Sequence, residues 1–151
     1  MEKNKSITIE KAFNLAVKNH QEGKTDIAQE LYNQVLKIDP NHSQTLNNIA
    51  VIFKNLKDYQ KAKNCYKKVI EFNPNYVEAH FNLGIIFNEL REIEKAKSCY
   101  EKALEIDPLN KKSMVEYGNI LLFLNDKFKG YEYIKKGQGV IKFTPSYSKI
   151  I

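Results

Sequence analysis

Three asparagines recur along the chain at intervals of 34 residues: Asn14, Asn48 and Asn82. A side-chain amide carries both a hydrogen-bond donor and an acceptor, as a peptide unit does. A row of amides on one face could therefore hold the backbone of an extended peptide without reading its side chains. Each such bond contributes only about 0.5–1.5 kcal/mol net, so three predict modest affinity and low selectivity. The chain has 16 asparagines, and the alternative that these three merely reflect its composition stays open.

The residue types that most often carry catalysis or bind metals are few and scattered. His20, His42 and His80 are the only histidines, and none forms a pair with metal-ligand spacing. The chain also lacks a GxSxG motif, a P-loop and a GxGxxG motif after a strand. We therefore expect no catalytic residue, no metal site and no cofactor.

The asparagines belong to a unit of 34 residues that runs through most of the chain. Two positions in each unit hold small residues: Ala16, Ala50, Gly84 and Gly118 at the first, and Ala28, Ala62, Ala96 and Gly130 at the second. A tyrosine follows in the first three units, and a proline ends them: Tyr32 and Pro40, Tyr66 and Pro74, Tyr100 and Pro108. Helical spacing of apolar residues on either side of Gly23 predicts two helices per unit. Small residues allow the helices to cross closely, and proline stops the second helix.

This pattern resembles the tetratricopeptide repeat (TPR) family. The resemblance covers residues 9–137 and implies an all-α, right-handed superhelical solenoid of helix-turn-helix hairpins. Such arrays need at least about three repeats to be stable, which this chain provides. The expected division is a lead of residues 1–8, repeats at 9–42, 43–76 and 77–110, a degenerate fourth repeat at 111–137, and a tail or cap at 138–151.

In this family the first helices line a concave groove that holds an extended peptide or a partner helix. The asparagine column resembles the one in O-linked N-acetylglucosamine transferases, whose amides bond to a bound peptide backbone. The resemblance implies a noncatalytic protein-protein interaction module, an adaptor or scaffold. The groove candidates besides Asn14, Asn48 and Asn82 are Phe13, Val51, Lys54, Asn55, Phe81, Ile85, Asn88 and Glu89. For Phe13 and Phe81, burial between first helices is an equal alternative.

A specialised subset of the family uses a carboxylate clamp to capture the acidic tails of heat-shock chaperones. The corresponding residues here are Phe13, Val17, Asn48, Glu78 and Asn82, of which only Asn48 agrees with the clamp. We therefore expect no binding of such C-terminal carboxylates. Micromolar binding of a chaperone tail peptide in calorimetry would contradict this expectation.

Two other function classes remain open as alternatives. The chain could be the substrate-recruiting segment of a larger enzyme such as a glycosyltransferase, although a start at Met1 and a broken fourth repeat favour a complete chain. The net charge of +6 suggests nucleic acid as a possible partner. However, Arg91 is the only arginine among the 24 basic residues. Sequence readout favours arginine forks, so we interpret the lysines of the second helices as a solvated convex face.

The cysteines and both ends of the chain bear on its location. Cys65 and Cys99 lie one period apart, and we expect packing residues with free thiols rather than a disulfide. The lysine-rich start lacks the apolar core of a signal peptide, and no apolar run is long enough to span a membrane. A reduced, cytoplasmic protein is expected.

Gly137 and Gly139 should shorten the last helix, and the apolar tail beyond is either a cap or a docking segment.

Overall fold

A computed structural model describes residues 2–139 of the chain. Of the tail that the sequence predicts as a cap or docking segment, residues 138–151, only Gln138 and Gly139 lie within the described residues. Within them the chain forms eight helices and no strand. These are α1 (Glu2–Gln21), α2 (Thr25–Ile38), α3 (Ser43–Asn55), α4 (Tyr59–Phe72), α5 (Val77–Glu89), α6 (Ile93–Ile106), α7 (Lys111–Phe123) and α8 (Lys127–Gln138). The predicted all-α solenoid is confirmed, and α1 begins within the segment assigned as the lead.

Each consecutive pair of helices forms a hairpin, and the second helix of each hairpin packs against the first helix of the next. The turn inside each hairpin places one residue in the left-handed region: Gly23 (φ 75°), Lys57 (61°), Arg91 (60°) and Asn125 (67°). These residues are spaced by the repeat period, so the backbone makes the same turn four times. Only the first turn uses glycine, the residue that adopts this conformation without steric cost.

Proline marks the end of the first three hairpins as the sequence predicts. The helices α2, α4 and α6 end at Ile38, Phe72 and Ile106, each two residues before a proline. The residue before proline is pushed out of the helical region, which ends the helix there. Hairpin boundaries are thus set by local backbone chemistry.

The core runs along the array rather than around one centre. Small residues at the crossings, such as Ala16, Ala28 and Ala62, are fully buried, as are Tyr32 and Tyr66. The tyrosine rings fill the wider spaces between hairpins, and the apolar clusters around them join neighbouring repeats. Each hairpin therefore depends on its neighbours for burial, which is the usual energetics of stacked repeats.

The fourth hairpin departs from the others. Helix α8 has 12 residues where α2, α4 and α6 have 14, and Gly139 follows it with a φ of 83°. The predicted shortening is therefore observed, although Gly137 lies inside the helix and is buried. Across residues 2–139, no helix combines the length and apolar character needed to cross a bilayer.

Candidate functional site

The asparagines of the repeat lie at equivalent positions on the first helices of successive hairpins, with Glu116 in the fourth. We call the surface carried by α1, α3, α5 and α7 the first-helix face. Helix α3 contacts α5 directly, so this face is continuous across the second and third hairpins. The asparagines differ in environment: Asn14 is exposed, Asn48 is half-buried, and Asn82 is only 9% exposed.

Asn48 supports the core beneath the face. Its Nδ2 donates a hydrogen bond to the hydroxyl of Tyr32, at 3.1 Å. Tyr32 is fully buried and comes from the second helix of the preceding hairpin. The amide keeps one further N–H and its carbonyl oxygen for other partners. The predicted peptide-binding amide is therefore partly engaged in joining two repeats.

Asn82 is engaged differently. Its Oδ1 accepts a hydrogen bond of 2.7 Å from Nζ of Lys54, another predicted groove residue, which reaches across from α3. Tyr66 and Asn82 occupy the same repeat positions as Tyr32 and Asn48, one period further along the chain. The buried hydroxyl of Tyr66 nevertheless has no hydrogen-bond partner among the described residues. The buried hydroxyl of Tyr100, one period further on, likewise has none there, so the bond between Asn48 and Tyr32 is not repeated at Tyr66 or Tyr100.

The side chain of Lys54 is half-buried, so its ammonium group is partly removed from water. Burial lowers the pKa of Lys54 below its ordinary value, and the positive charge of Lys112 lowers it further. Lys112 lies at the start of α7, two hairpins along the chain from α3. The two lysines are thus carried by the first helices of the second and fourth hairpins.

The predicted apolar residues are half-buried and pack partly into the core. The ring of Phe13 lies 5.2 Å from that of His42 and 6.1 Å from that of Tyr32, measured between centroids. Phe81 lies 6.0 Å from Tyr100 in the same way. Each phenylalanine thus packs against core aromatic rings and keeps some exposed surface, and its contact with a ligand stays a prediction.

The remaining candidates lie beside the face or toward its edge. Val51 and Ile85 are half-buried against the apolar clusters of the second and third hairpins. Asn55 and Glu89 end their helices and are exposed, while Asn88 is half-buried. The structure therefore joins Lys54 to Asn82 directly, whereas no hydrogen bond joins Asn14 to Asn48 or Asn82.

An open cavity of about 420 Å³ lies between α5 and α7. Its walls include Glu78, Phe81, Asn82 and Lys112. A second cavity of about 420 Å³ continues from Phe81 and Lys112 to Val115. Lys112 lines both cavities and is not among the residues predicted from the sequence. A departure from the repeat could have pointed to it, because the same position holds Glu10, Gln44 and Glu78 in the other units and carries a positive charge only in the fourth.

The histidines have structural partners. Nε2 of His80 lies 2.8 Å from the carbonyl oxygen of Pro74, and His80 is buried. His42 caps α3, where its Nδ1 accepts from the backbone N–H of Thr45 at 3.3 Å. Cys65 and Cys99 are both free thiols, half-buried against one apolar cluster. These residues pack within the hairpins, in line with the packing role expected for the cysteines.

Comparison with protein families matches two models, each described as a tetratricopeptide repeat, to residues 43–76 and 77–110 and to residues 10–42. Among curated proteins, the chain is similar to the uncharacterized protein ycf37 of Pyropia yezoensis. The two are 43% identical over 42 residues, which is 28% of this chain and 24% of that protein. The match therefore spans only about a quarter of that relative's length.

Solved structures share the same architecture. MamA aligns with a TM-score of 0.76 at 20% identity, covering 86% of this chain and 76% of that chain. The first TPR of Spaghetti (RPAP3), bound to the HSP90 peptide SRMEEVD, aligns with a TM-score of 0.74 at 26% identity, covering 80% and 95%. The Thermobaculum terrenum O-GlcNAc transferase aligns with a TM-score of 0.73 at 20% identity, covering 78% of this chain and 22% of that one. At these identities the likeness establishes the fold.

Proposed function

The chain belongs to the tetratricopeptide repeat family, a family of protein-interaction modules, and we propose that it is a noncatalytic adaptor or scaffold that binds an extended peptide or partner helix on its first-helix face. The observation that carries the proposal is the open cavity between α5 and α7, bordered by the amide of Asn82 and the ring of Phe81. An amide beside an exposed aromatic edge offers one group for a peptide backbone and one for an apolar side chain.

The bonds already made by the asparagines leave them able to bind. Asn48 uses one of its two amide hydrogens on Tyr32, and Asn82 uses its carbonyl oxygen on Lys54. Each amide therefore retains at least one donor. Val51 and Ile85 supply half-buried apolar surface beside them. The proposed site extends toward its edges through Asn14, Phe13, Asn55, Asn88 and Glu89.

The peptide-bound neighbour supports this mode of binding by analogy. That protein was solved with the HSP90 peptide SRMEEVD, and it shares the fold of this chain over 80% of the present residues. The clamp positions here still carry Phe13, Val17 and Glu78, so the expected lack of binding to chaperone tails remains a prediction.

The test is affinity capture from host lysate with two matched variants. Asn48→Ala/Asn82→Ala alters the first-helix face, while Asn33→Ala/Asn64→Ala removes two exposed asparagines from second helices. Captured proteins are identified by mass spectrometry, and both variants are checked for folding by circular dichroism. We expect one set of partners to be retained by the wild type and the control but lost by the face variant. Equal retention by a folded face variant would contradict the proposed site.

A second candidate function rests on the alignment with the O-GlcNAc transferase, which covers 22% of that longer chain. On that reading the repeats recruit substrates to a catalytic domain. Captured partners would then carry O-linked sugars on serine or threonine, which mass spectrometry of the same samples detects. Their absence would favour the adaptor.

The cytoplasmic location expected from the sequence stays a prediction.

We propose that the partner is not a nucleic acid. A nucleic-acid binder releases counterions, so its affinity falls steeply with salt. We expect no retention of oligonucleotides in filter binding at low salt. Retention with a steep salt dependence would overturn this part of the proposal.

A further inference from the structure

We propose that the fourth hairpin carries a surface for an anionic lipid bilayer, in which exposed aromatic rings of α8 enter the interfacial region between headgroups and acyl chains. We call this surface the α8 patch and define it by Lys127, Phe128, Tyr131 and Lys135. The patch lies on a second helix, apart from the first-helix face. The inference is therefore independent of the peptide binding proposed above.

The fourth hairpin holds the three most exposed aromatic side chains among the residues that the structure describes. Phe128 is 82% exposed, Phe123 65% and Tyr131 64%. Phe123 ends α7 and Phe128 lies in the first turn of α8, so these two flank the same hairpin turn. Rings this exposed contribute little to the core, and grouped apolar side chains on a surface usually mark a contact site.

The aromatic character of these positions is specific to the fourth hairpin. The equivalent residues of the first three hairpins are Gln21, Asp26 and Gln29, then Asn55, Gln60 and Lys63, then Glu89, Glu94 and Lys97. All nine are polar or charged. The repeat therefore folds without apolar side chains at these positions, and packing within the hairpin does not account for the three rings.

Helical spacing gathers the patch on the outward side of α8. With 3.6 residues per turn, each residue is rotated by about 100° from the one before it. Phe128 then lies nearly opposite Gly130, which is buried against α7. Tyr131 and Lys135 follow Phe128 by three and seven residues and so share its side, and Lys127 borders that side four residues before Tyr131.

The rings are flanked by positive charge. Helix α8 carries four lysines and one glutamate. The glutamate, Glu132, is paired with Lys136 at 2.7 Å between Oε1 and Nζ. Lys127 and Lys135 are exposed, and neither forms an ion pair within the described range. An anionic surface would therefore meet two unpaired ammonium groups beside the rings.

The other carboxylate close to α8 belongs to its cap. Oδ1 of Asp126 accepts from the backbone N–H of Lys129 at 3.4 Å, and Oδ2 lies 3.9 Å from Nζ of the same lysine. From this cap to Gln138 the chain has four lysines against two carboxylates. The helix and its cap together therefore remain positively charged.

A bilayer suits side chains that project in this way. A fluid interface accepts a protruding ring without a matching recess, and tyrosine is favoured at the level of the headgroups. Lysine can lay its apolar stem along the interface and keep its ammonium group among the headgroups. Exposed rings beside lysines on a short helix are typical of segments that lie in the interface. With two rings and two unpaired lysines, we expect weak, reversible binding.

The experiment measures co-sedimentation of the full chain with vesicles of phosphatidylcholine, either pure or containing about one third phosphatidylglycerol. The patch variants are Phe128→Ser/Tyr131→Ser and Lys127→Gln/Lys135→Gln. The matched controls remove equally exposed groups elsewhere, namely Leu56→Ser after α3 and Lys67→Gln/Lys68→Gln on α4. Circular dichroism checks that every variant is folded.

We expect the wild type to bind the mixed vesicles and to bind pure phosphatidylcholine much more weakly. Each patch variant should lose about tenfold or more in affinity, because each lysine near an anionic bilayer contributes roughly fivefold and each buried ring a similar factor. Both controls should bind as the wild type does. Equal binding by the wild type and the patch variants would overturn the inference and leave the proposed function standing.

A second measurement reports whether a ring enters the bilayer. The chain has no tryptophan, so Phe128→Trp introduces a single fluorescent probe. Its emission should shift to shorter wavelength on the mixed vesicles and be quenched by brominated lipids, whereas Leu56→Trp should show neither effect. Bound protein whose Phe128→Trp emission stays unshifted and unquenched would contradict insertion of the patch.

The remaining outcomes also decide. If the wild type binds neither kind of vesicle, the inference fails. If it forms a dimer in sedimentation equilibrium that Phe128→Ser/Tyr131→Ser abolishes, and that dimer does not bind vesicles, the patch joins two copies and the inference is overturned. A single-stranded oligonucleotide that requires Lys127 and Lys135, while vesicles do not, would assign the charge to nucleic acid and equally overturn it.

Discussion

The side-chain amide of Asn48 donates to the hydroxyl of Tyr32 at 3.1 Å, which ties the first helix of one hairpin to the second helix of the hairpin before it. The tyrosine is fully buried, so the amide satisfies a hydroxyl that solvent does not reach. The first-helix face and the core between repeats therefore share residues. Substitutions on this face have to be separated into effects on binding and effects on stability.

Asn48→Ala should destabilise the fold by about 1–3 kcal/mol, because it leaves the buried Tyr32 hydroxyl without a partner. Tyr32→Phe removes that hydroxyl and should cost less. In the Tyr32→Phe background, Asn48→Ala should then have little effect on the free energy of unfolding. Urea titrations of the four proteins measure this cycle, and additive effects would contradict the coupling.

Gly118→Ala should destabilise the fourth hairpin. A Cβ atom at Gly118 would lie 2.7 Å from the carbonyl oxygen of Gly130, where the backbones of α7 and α8 approach closely. Relieving this overlap requires the helices to separate, and overpacking of this kind typically costs about 1–3 kcal/mol. Asn119→Ala is the control, since Asn119 is the exposed neighbour on the same helix. Thermal melts of equal midpoint for the two variants would rule out the close approach.

Gly23 and Lys57 occupy the same position of the hairpin turn, and substitutions there should change the stability of the fold in opposite directions. Gly23→Ala should lower stability by about 1–2 kcal/mol, because a left-handed backbone strains any residue with a Cβ. No atom lies within 4 Å of that Cβ, so strain is the only cost. Lys57→Gly should raise stability or leave it unchanged, since the left-handed strain is released while backbone entropy is lost.

The measurement for these turns is the chemical denaturation midpoint of each variant. Lys57→Ala serves as the control, because it removes the long side chain and keeps the strain. A Lys57→Gly variant clearly less stable than Lys57→Ala would show that the turn does not need the left-handed conformation.

We expect the helix cap formed by Asp58 to make the free energy of unfolding depend on pH. Its side chain caps α4 by accepting from the backbone N–H of Lys61, and the hydrogen bonds and charge of Lys61 lower the pKa of Asp58 below its ordinary value of 3.8. A lowered pKa in the folded state stabilises the fold above the ordinary value and loses this contribution as the pH falls through the folded value. The stability difference between the wild type and Asp58→Ala should therefore be full at neutral pH and shrink below pH 3.8.

Denaturation at a series of pH values tests this capping role, with Gln60→Ala as the control on the same exposed turn. The control should track the wild type at every pH. A difference for Asp58→Ala that is constant from neutral to strongly acidic pH would exclude the charged cap.

Much of the architecture could be predicted because it depends on residues close in sequence. The glycine in the first turn, the prolines after the second helices, and the helical spacing of apolar residues each restrict the local backbone, so helix number and hairpin boundaries follow. The small residues at the crossings also follow, since close helix packing excludes larger side chains. The repeat period then predicts which positions share a face, and it placed Asn48, Asn82 and Lys54 on one surface.

The partners of those side chains were decided only by the tertiary structure. Lys54 bonds forward to Asn82 in the next hairpin, while Asn48 bonds backward to Tyr32 in the preceding one. These contacts join residues from different repeats, and they depend on how far each hairpin rotates on its neighbour. A repeat pattern treats Asn14, Asn48 and Asn82 as equivalent. Stacking makes one exposed, one half-buried and one buried, because burial depends on the hairpins on either side.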